Sequence, residues 1–491
     1  MPASLEEYRP LPEGRDQYSL DYIRANGALK LKDEGGELRI GLGPGARPGI
    51  ADALANFHRD RRVSFLAIDG AELAAYLGAK GAESLPAGDG SAASRGGLSI
   101  AIDATSSDAP VVNLVNALCI EGIRGGASDI HIEARSDAVR VRHRVDGFLR
   151  TARSLDPARF AAISSRIKIM AGLDIMESRM PQDGRMSLDI GGRRLDLRVS
   201  VVPVAAGESI VLRLFNASGA PMRLESLGLE PGRLALIEDW IGRSQGLVLV
   251  TGPTGSGKTT TLNAMLRALA GDSLKVVSIE DPIEELVEGV NQIQTNERIG
   301  LGFDAILRRV LRQDPNVIMV GEIRDSATAE LAIRAALTGH LVLSSLHTKD
   351  SVSAIARLLD LGVGPKLLAA VLVGTMAQRL VRRVCPACAR EREADPREAA
   401  LLARYGLGAK ALAYGTGCRE CAGTGFRGRL VVSEAFSTDS ELEAAIARGE
   451  GGPRLRETAA VKGMATMARD GIEKAAAGAT TIAEIEREVP L

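Results

Sequence analysis

Residues 252–259 are Gly252-Pro253-Thr254-Gly255-Ser256-Gly257-Lys258-Thr259, which fits the phosphate-binding pattern G-x-x-x-x-G-K-[ST]. The apolar, β-branched run 246–250 before them is typical of a buried strand, and residues 260–269 carry apolar side chains at helical spacing. A glycine turn between a strand and a helix N-terminus presents backbone N–H groups to an anion. We therefore predict that this loop, together with Thr260, binds nucleotide phosphates, with Lys258 on the β- and γ-phosphates and Thr259 on Mg²⁺.

The composition is that of an ordinary globular protein with almost no net charge. The 491 residues are 45% hydrophobic and 25% charged, with a formal net charge of −1, so we expect about three domains and no basic field that favours nucleic acid. Aromatic residues make up only 3%, which argues against stacking platforms for single strands. No apolar run reaches transmembrane length. We therefore expect a cytoplasmic protein that makes no direct contact with nucleic acid and reaches a membrane only through partners.

Changes in composition along the chain predict three domains and one linker. Residues 1–76 show short helix and strand patterns without a catalytic constellation, so we expect a small α/β module that docks onto a partner. Gly, Ala and Ser dominate residues 77–97, which predicts a flexible linker and a mobile first module. Residues 98–235 are predicted to form a second domain of helices and strands. Residues 236–491 are predicted to form the third domain, which contains the phosphate-binding loop.

Arginines recur on the predicted strands of the second domain, at Arg194, Arg198 and Arg213. The pattern allows two interpretations, a solvated strand face that carries positive charge or a positive surface with a function. Spacing alone does not decide between them.

Acidic and polar residues follow the predicted strands of the third domain. These strands alternate with helices, which predicts an α/β fold with a parallel sheet, covered on both faces, and its chemistry at the carboxyl ends of the strands. Glu322 follows an apolar strand, as expected of a residue that binds Mg²⁺ or aligns the attacking water. Glu280 and Glu284 are alternatives for the water, and spacing cannot rank them. His347 either senses the γ-phosphate or is a hydrogen-bonded packing residue.

Two C-x-x-C pairs lie in the C-terminal part of the third domain, at Cys385 with Cys388 and at Cys418 with Cys421. Paired knuckles of this kind suit tetrahedral thiolate zinc, although the loop between them is longer than the usual template. Disulfides would not persist in a reducing cytoplasm, whereas metal-bound thiolates would. We predict a structural Zn²⁺ site in an insert at residues 385–421, and the alternative is four thiols without a metal.

Several further segments resemble the secretion and pilus ATPases. The resemblance extends from about residue 105 to the C-terminus and is carried by residues 126–133, 181–185, 278–284, 319–325, 337–340 and 346–348. The paired cysteines are similar to those of assembly motors rather than retraction motors. Chain length and the compact N-terminal module look most like the type II secretion ATPase. Type IV pilus assembly ATPases are the alternative, and a DNA-uptake motor is a more distant one.

The resemblance implies a fold and a set of functional residues. It implies a homohexamer whose subunits have a PAS-like α+β domain followed by a RecA-like P-loop domain, with ATP and Mg²⁺ near their junction. Glu280 and Glu284 match the acidic "Asp box", Glu322 matches the Walker B position, and His340 and His347 match the "His box". The resemblance also implies that arginines of the second domain approach the phosphates; these are Arg185, Arg198 and Arg213.

The resemblance further implies partners at the inner membrane. A cytoplasmic motor of this family drives pseudopilus assembly and protein export, so it must meet membrane components. We expect residues 1–76 to bind the cytoplasmic domain of an inner-membrane secretion protein, and an inner-membrane platform protein to be a second partner.

Overall fold

The chain divides into two compact units, Met1–Gly219 and Ala220–Leu491. The computed structural model describes residues 5, 8–11, 17–18, 23, 26–31, 37–46, 49–58, 62–83, 109–190, 193–214, 221–408 and 411–490. The unit boundary differs from the expected one at residues 235/236, because that position lies inside a helix, Pro231–Ile241, whose Ile237 and Trp240 are buried in the core of the second unit.

The first unit begins with a small three-stranded module. Its strands are β1 (Ala28–Lys30), β2 (Glu37–Leu42) and β3 (Arg62–Ala67), in the order β1-β2-β3, with helices α1 (Ile50–Phe57) and α2 (Gly70–Glu83). Strand β2 is antiparallel to β1 and parallel to β3, so α1 is the crossover between the parallel pair. This alternation is that of an α/β module.

The junction after this module differs from the prediction of a linker over residues 77–97. Residues 77–83 are the last turns of α2, and residues 84–97 lie outside the described part of the chain. Ile169, which follows far along the sequence, is 2% exposed and lies in the same apolar cluster as Leu54 and Ile68 of the module, with Ile175 packed against it. The module is therefore packed on the domain that follows it, which differs from the expectation of a freely moving module.

The remainder of the first unit is a six-stranded antiparallel sheet with helices on one face. The strand order is β6-β5-β4-β9-β8-β7, and the elements are α3 (Ala109–Arg124), β4 (Ala127–Ala134), β5 (Val139–Val145), β6 (Phe148–Leu155), α4 (Phe160–Met170), β7 (Gln182–Ile190), β8 (Arg193–Val204) and β9 (Gly207–Leu214). Leu118 of α3 and Ile167 of α4 are buried against inward side chains such as Leu197 and Leu212. Alternate residues of the same strands face away from the helices, so polar residues occupy the other face.

The second unit is organised around a seven-stranded sheet of order β12-β11-β13-β14-β10-β15-β18. Its strands are β10 (Gly246–Thr251), β11 (Val276–Glu280), β12 (Val290–Gln294), β13 (Val317–Val320), β14 (Leu341–Leu346), β15 (Leu372–Val384) and β18 (Phe426–Ser437). All neighbouring pairs are parallel except β15 with β18, which are antiparallel. Carboxyl ends of the parallel strands therefore meet at one edge of the sheet, which we call the C-terminal edge.

Helices cover both faces of this sheet. Leu247 and Leu249 of β10 belong to one apolar cluster, and Val248 and Val250 belong to the cluster on the opposite face. The helices of this core are α5 (Pro231–Ile241), α6 (Lys258–Leu269), α7 (Phe303–Val310), α8 (Ser326–Leu337), α9 (Ser353–Asp360) and α10 (Pro365–Val371). The predicted parallel sheet buried on both faces is confirmed.

The C-terminal region adds an insert and a set of helices. A two-stranded antiparallel sheet and one helix lie between β15 and β18; they are β16 (Ala389–Glu393), β17 (Ala411–Gly415) and α11 (Pro396–Arg404), which connects the two strands. The chain then ends with α12 (Ser440–Ala447), α13 (Gly452–Val461), α14 (Met467–Ala476) and α15 (Ile482–Glu488). Within the described ranges, no helix has both the length and the apolar character needed to cross a membrane.

Candidate nucleotide site

The predicted phosphate-binding loop lies at the C-terminal edge, between β10 and α6. Gly252 has φ 149° and Gly257 has φ 88°, backbone conformations that glycine adopts without strain. A Cβ on Gly252 would lie 2.5 Å from Ser256 Oγ and 2.6 Å from the carbonyl oxygen of Gln378. Glycine is thus required at the start of the loop by packing as well as by conformation.

Lys258, the first residue of α6, is held against the loop. Its Nζ donates to the carbonyl oxygens of Gly252 at 2.9 Å and Pro253 at 3.1 Å. Burial lowers the pKa of Lys258, Glu322 opposes that shift and Arg379 adds to it. Thr259 and Thr260 are exposed in the first turn of α6, where backbone N–H groups have no partner within the helix. This arrangement presents one ammonium group, hydroxyl groups and N–H donors to an anion.

Glu322 lies just after β13 and is held by Arg324 and His347. Its Oε2 is 3.3 Å from His347 Nε2, and its Oε1 accepts from Arg324 Nη2. Burial raises the pKa of the Glu322 carboxyl, but the hydrogen bonds and charges of Arg324 and His347 outweigh burial, so its pKa lies below the usual value. Arg324 is also 3.8 Å from Asp281 Oδ2. Glu322 is therefore an ionised acid at the C-terminal edge.

Glu280, the last residue of β11, is 3% exposed. Its Oε1 accepts from Ser278 Oγ at 2.6 Å and from Gln292 Nε2 at 2.9 Å. Its buried Oε2 has no hydrogen-bond partner among the described residues. Strands β13 and β11 are two and three positions from β10, which corresponds to about 10 Å and about 14 Å. Glu322 therefore follows the nearer strand, while half-buried Glu284 follows in the loop after β11.

The two predicted histidines lie at opposite ends of β14. His347 follows the strand at the C-terminal edge, and the next residue, Thr348, is tied to the loop strand by its Oγ1, 2.6 Å from Thr251 Oγ1. His340 precedes the strand, and its Nδ1 is 2.9 Å from the carbonyl oxygen of Ala335. The six residues of β14 lie between the histidines and separate them by roughly 20 Å. The structure therefore brings His347 to this chain's phosphate loop but does not bring His340 there.

The three predicted arginines form a row in the first unit. Arg185 of β7 is paired across the sheet with Arg198 of β8, which is paired with Arg213 of β9. All three side chains are exposed on the face opposite the helices. Arg213 Nε donates to Asp129 Oδ1 at 2.9 Å, whereas within the described ranges Arg185 and Arg198 pair with no carboxylate. Because like charges directly across a sheet repel, this row favours an anionic ligand.

Residues that the sequence analysis missed also contact the site. Arg324 pairs with Glu322, and Gln378 of β15 hydrogen-bonds to the loop. No strand is predicted from the sequence at residues 372–384, so Gln378 was not expected beside the loop. The apolar, β-branched run at its start is the signal that identifies this strand.

The four predicted cysteines come together in the insert. Every pair of their Sγ atoms lies within 4.8 Å. The distances are 3.9 Å for Cys385 with Cys418, 3.8 Å for Cys388 with Cys421 and 3.7 Å for Cys418 with Cys421. A tetrahedron with metal–sulfur bonds of about 2.3 Å has sulfur–sulfur edges of about 3.8 Å. The cluster therefore has the dimensions of a four-thiolate metal site.

Backbone N–H groups stabilise charge on this cluster. The N–H of Cys418 donates to Cys421 Sγ at 3.1 Å, and that of Gly425 donates to the same sulfur at 3.2 Å. Burial raises the pKa of the Cys421 thiol, but these donors, together with the Cys418 and Cys388 thiols, outweigh burial and lower the pKa to about 6. Burial and hydrogen bonds to the other three thiols raise the pKa of Cys388 to about 11. A thiolate, the form that binds metal, is therefore favoured at Cys421.

A family model described as "Type II/IV secretion system protein" matches residues 104–487. The chain belongs to this family. The chain is 47% identical to the type II secretion system protein HxcR of Pseudomonas aeruginosa over 383 residues, which are 78% of each chain. It is 44% identical to the type IV pilus assembly ATPase PilB of Myxococcus xanthus over 382 residues, 77% of this chain and 68% of that protein.

A solved structure shows the same fold. The crystal structure of the pilus retraction motor PilT with bound ADP is 26% identical, with a TM-score of 0.53, and the similarity covers 76% of this chain and 96% of that one. The predicted α/β fold class, the membership of the secretion and pilus ATPases and the ATPase assignment are confirmed.

Proposed function

We propose that this chain is the ATPase motor of a type II secretion system, in which ATP hydrolysis drives pseudopilus assembly and protein export. The observation that carries the proposal is the line of Glu322, His347 and the phosphate loop along one edge of the sheet. The type II secretion protein of Pseudomonas aeruginosa, of which the match covers 78%, as it does of this chain, supports the proposal of a role in secretion. Assembly of a type IV pilus is the second candidate, and the PilB relative favours it.

In the proposed reaction, the loop N–H groups and Lys258 bind the nucleotide phosphates. The hydroxyl of Thr259 and the ionised carboxylate of Glu322 are hard oxygen donors, which suit Mg²⁺. Bound Mg²⁺ supplies compensation for phosphate charge. We assign to Glu322 the alignment of the attacking water, since it is held ionised just after the nearer strand. Glu280 Oε2, which has no hydrogen-bond partner among the described residues, is an alternative acceptor. Glu284 remains a further candidate, and His347 holds the Glu322 carboxylate.

The arginine row is proposed to complete the site when subunits assemble into a homohexamer. Arg185, Arg198 and Arg213 are exposed and aligned, and Arg185 and Arg198 have no carboxylate partner in the described part of the chain. Arginines supplied to a phosphate in other nucleotide hydrolases stabilise the negative charge of the transition state. We propose the same role for this row, and its test is given in the Discussion.

The proposed metal of the cysteine cluster is a structural Zn²⁺. Four thiolates at tetrahedral spacing leave no ligand position for substrate, so the site stabilises the insert and takes no part in hydrolysis.

The proposed location is the cytoplasmic face of the inner membrane, reached through partners. We propose that residues 1–76 bind the cytoplasmic domain of an inner-membrane secretion protein and that a platform protein is a second partner. Deletion of residues 1–76 should shift the protein from the membrane fraction to the cytosol and stop export. If the truncated protein still sediments with membranes and supports export, another part of the chain makes the contact.

Two substitutions test hydrolysis at the loop. Lys258→Ala removes the ammonium that compensates phosphate charge, so ATP binding should be lost. Glu322→Gln keeps the size of the side chain but cannot hold Mg²⁺ or orient water as well, so binding should persist while turnover falls by at least about 100-fold. Binding of a fluorescent ATP analogue and phosphate release measure the two effects. Arg243→Ala, which removes an exposed ion pair with Asp239 on α5, is the control and should change neither.

Normal turnover by Glu322→Gln would contradict the assignment and transfer the role to Glu280. Normal ATP binding by Lys258→Ala would show that the loop is not the nucleotide-binding site.

A further inference from the structure

Gln378 lies beside the phosphate loop although it is far from it in sequence. Strand β15 runs parallel to β10, and Ala377 is paired with Thr251, the residue before the loop. Gln378 is therefore level with the first loop residue, and it is 0% exposed. A fully buried amide must satisfy its donors and acceptor inside the protein, so the identity of its partners indicates its role.

The Gln378 amide connects the loop to the helix that follows it. Its Nε2 donates to the carbonyl oxygen of Ser256 at 2.8 Å, and its Oε1 accepts from Thr261 Oγ1 at 2.9 Å. The orientation of the amide follows from its partner, because the Ser256 carbonyl can only accept a hydrogen bond. The backbone of Gln378 contacts the loop as well, since a Cβ on Gly252 would lie 2.6 Å from its carbonyl oxygen.

These contacts determine the direction of one backbone N–H in the loop. In a planar trans peptide the C=O and the following N–H point in opposite directions. The Ser256 carbonyl points at Gln378, so the N–H of Gly257 points away from β15. Gly257 has φ 88° and no Cβ, and rotation of this peptide therefore meets little steric resistance of its own. A rotated peptide would turn a carbonyl oxygen toward an incoming phosphate in place of an N–H.

We propose that Gln378 is a positioning residue that locks the Ser256–Gly257 peptide, so that the loop offers an N–H donor to the nucleotide phosphates. The inference rests on the proposed function, because it concerns the same nucleotide site. It predicts that loss of the Gln378 amide weakens phosphate binding without removing any group that touches the nucleotide.

The test uses the full-length chain and a fluorescent ADP analogue with Mg²⁺. Gln378→Met keeps the length of the side chain and removes both hydrogen bonds, so the Kd for the analogue should rise about tenfold, which corresponds to about 1.4 kcal/mol. The KM for ATP should rise by a similar factor. Thr480→Val is the matched control, because Thr480 is fully buried and the change removes its 2.8 Å hydrogen bond to the carbonyl oxygen of Arg382 on the same strand. It should lower the melting temperature as Gln378→Met does and leave the Kd unchanged.

A second variant keeps the test decisive if Gln378→Met does not fold. Thr261→Val removes the hydroxyl that orients the amide and should raise the Kd about two- to threefold. Equal Kd values for wild type, Gln378→Met and Thr261→Val would overturn the positioning role. An equal rise in Kd for Thr480→Val would also overturn it, because general destabilisation would then explain the effect. Failure of the wild type itself to bind ADP or ATP would instead refute the proposed function.

Discussion

The charge of Glu322 depends on the balance between burial and its two neighbours, Arg324 and His347. Burial alone would raise the pKa of this carboxyl, and the Arg324 hydrogen bond and the charges of Arg324 and His347 lower it. Such a group stabilises the folded protein above its unfolded-state pKa, and that stabilisation is lost as the pH falls through the lower folded-state pKa. A carboxylate that must stay ionised to act is therefore protected against mild acid.

Arg324→Ala should reveal this balance in the pH dependence of hydrolysis. Without Arg324 the burial of Glu322 is less well compensated, so its pKa should rise and the acid limb of the kcat/KM profile should move to higher pH. Steady-state phosphate release from pH 5 to 9 measures the shift, with Arg243→Ala as the control. A lower rate with an unmoved acid limb would mean that Arg324 acts on the nucleotide directly and not through Glu322.

At the scale of elements, the stability of the insert between β15 and β18 depends on its four cysteines. The sheet of β16 and β17 has only two strands, and an isolated pair of strands is marginally stable in water. Gly415 of β17 lies close to Gly425, which follows the second C-x-x-C pair, since a Cβ on Gly415 would lie 2.0 Å from the carbonyl oxygen of Gly425. A metal on the four sulfurs would hold these pieces in place.

Metal analysis of the purified chain should therefore find one Zn²⁺ per chain. Cys421→Ser should lose it and lower the melting temperature by several degrees, since about 1 kcal/mol shifts the melting temperature of a domain of this size by about 2–4 °C. Cys119→Ala is the control, because Cys119 is buried on α3 in the other unit. The zinc content of this variant should equal that of the wild type. A folded wild-type chain with no metal and four titratable thiols would exclude the site.

At the scale of the whole molecule, the arginine row is proposed to act on a neighbouring subunit. If so, turnover per chain should rise with protein concentration, and Arg198→Ala should abolish the rise. Arginines of this kind raise turnover by roughly 10³–10⁵ in other systems. Arg153→Ala is the control on the same sheet, because Arg153 is already paired with Glu121 at 2.8 Å.

A mixing experiment separates action across subunits from action within one. Lys258→Ala chains keep the arginine row but lack a working phosphate loop. Arg198→Ala chains keep the phosphate loop but lack one arginine of the row. Equimolar mixing should restore part of the turnover only if an arginine of one chain reaches the nucleotide of another. The proposal would be refuted if a chain shown to be monomeric hydrolysed ATP at a rate independent of protein concentration and if mixing the two variants restored no turnover.

The sequence was sufficient where the chemistry lies in adjacent residues. The loop at residues 252–259 and each C-x-x-C pair are short patterns, so one chain segment brings their donor groups together whatever the rest of the fold does. The alternation of strands and helices likewise predicted the parallel sheet, because burial on both faces leaves a continuous apolar run in each strand.

Only the tertiary structure decided the features of the site that depend on the order and register of the strands. The alignment of Arg185, Arg198 and Arg213 follows from the pairing of three strands, and the length of β14 places His340 at the far edge from the loop. Gln378 reaches Ser256 across 122 residues of sequence. Long-range packing across the whole core sets strand order and register, and no local pattern contains that information.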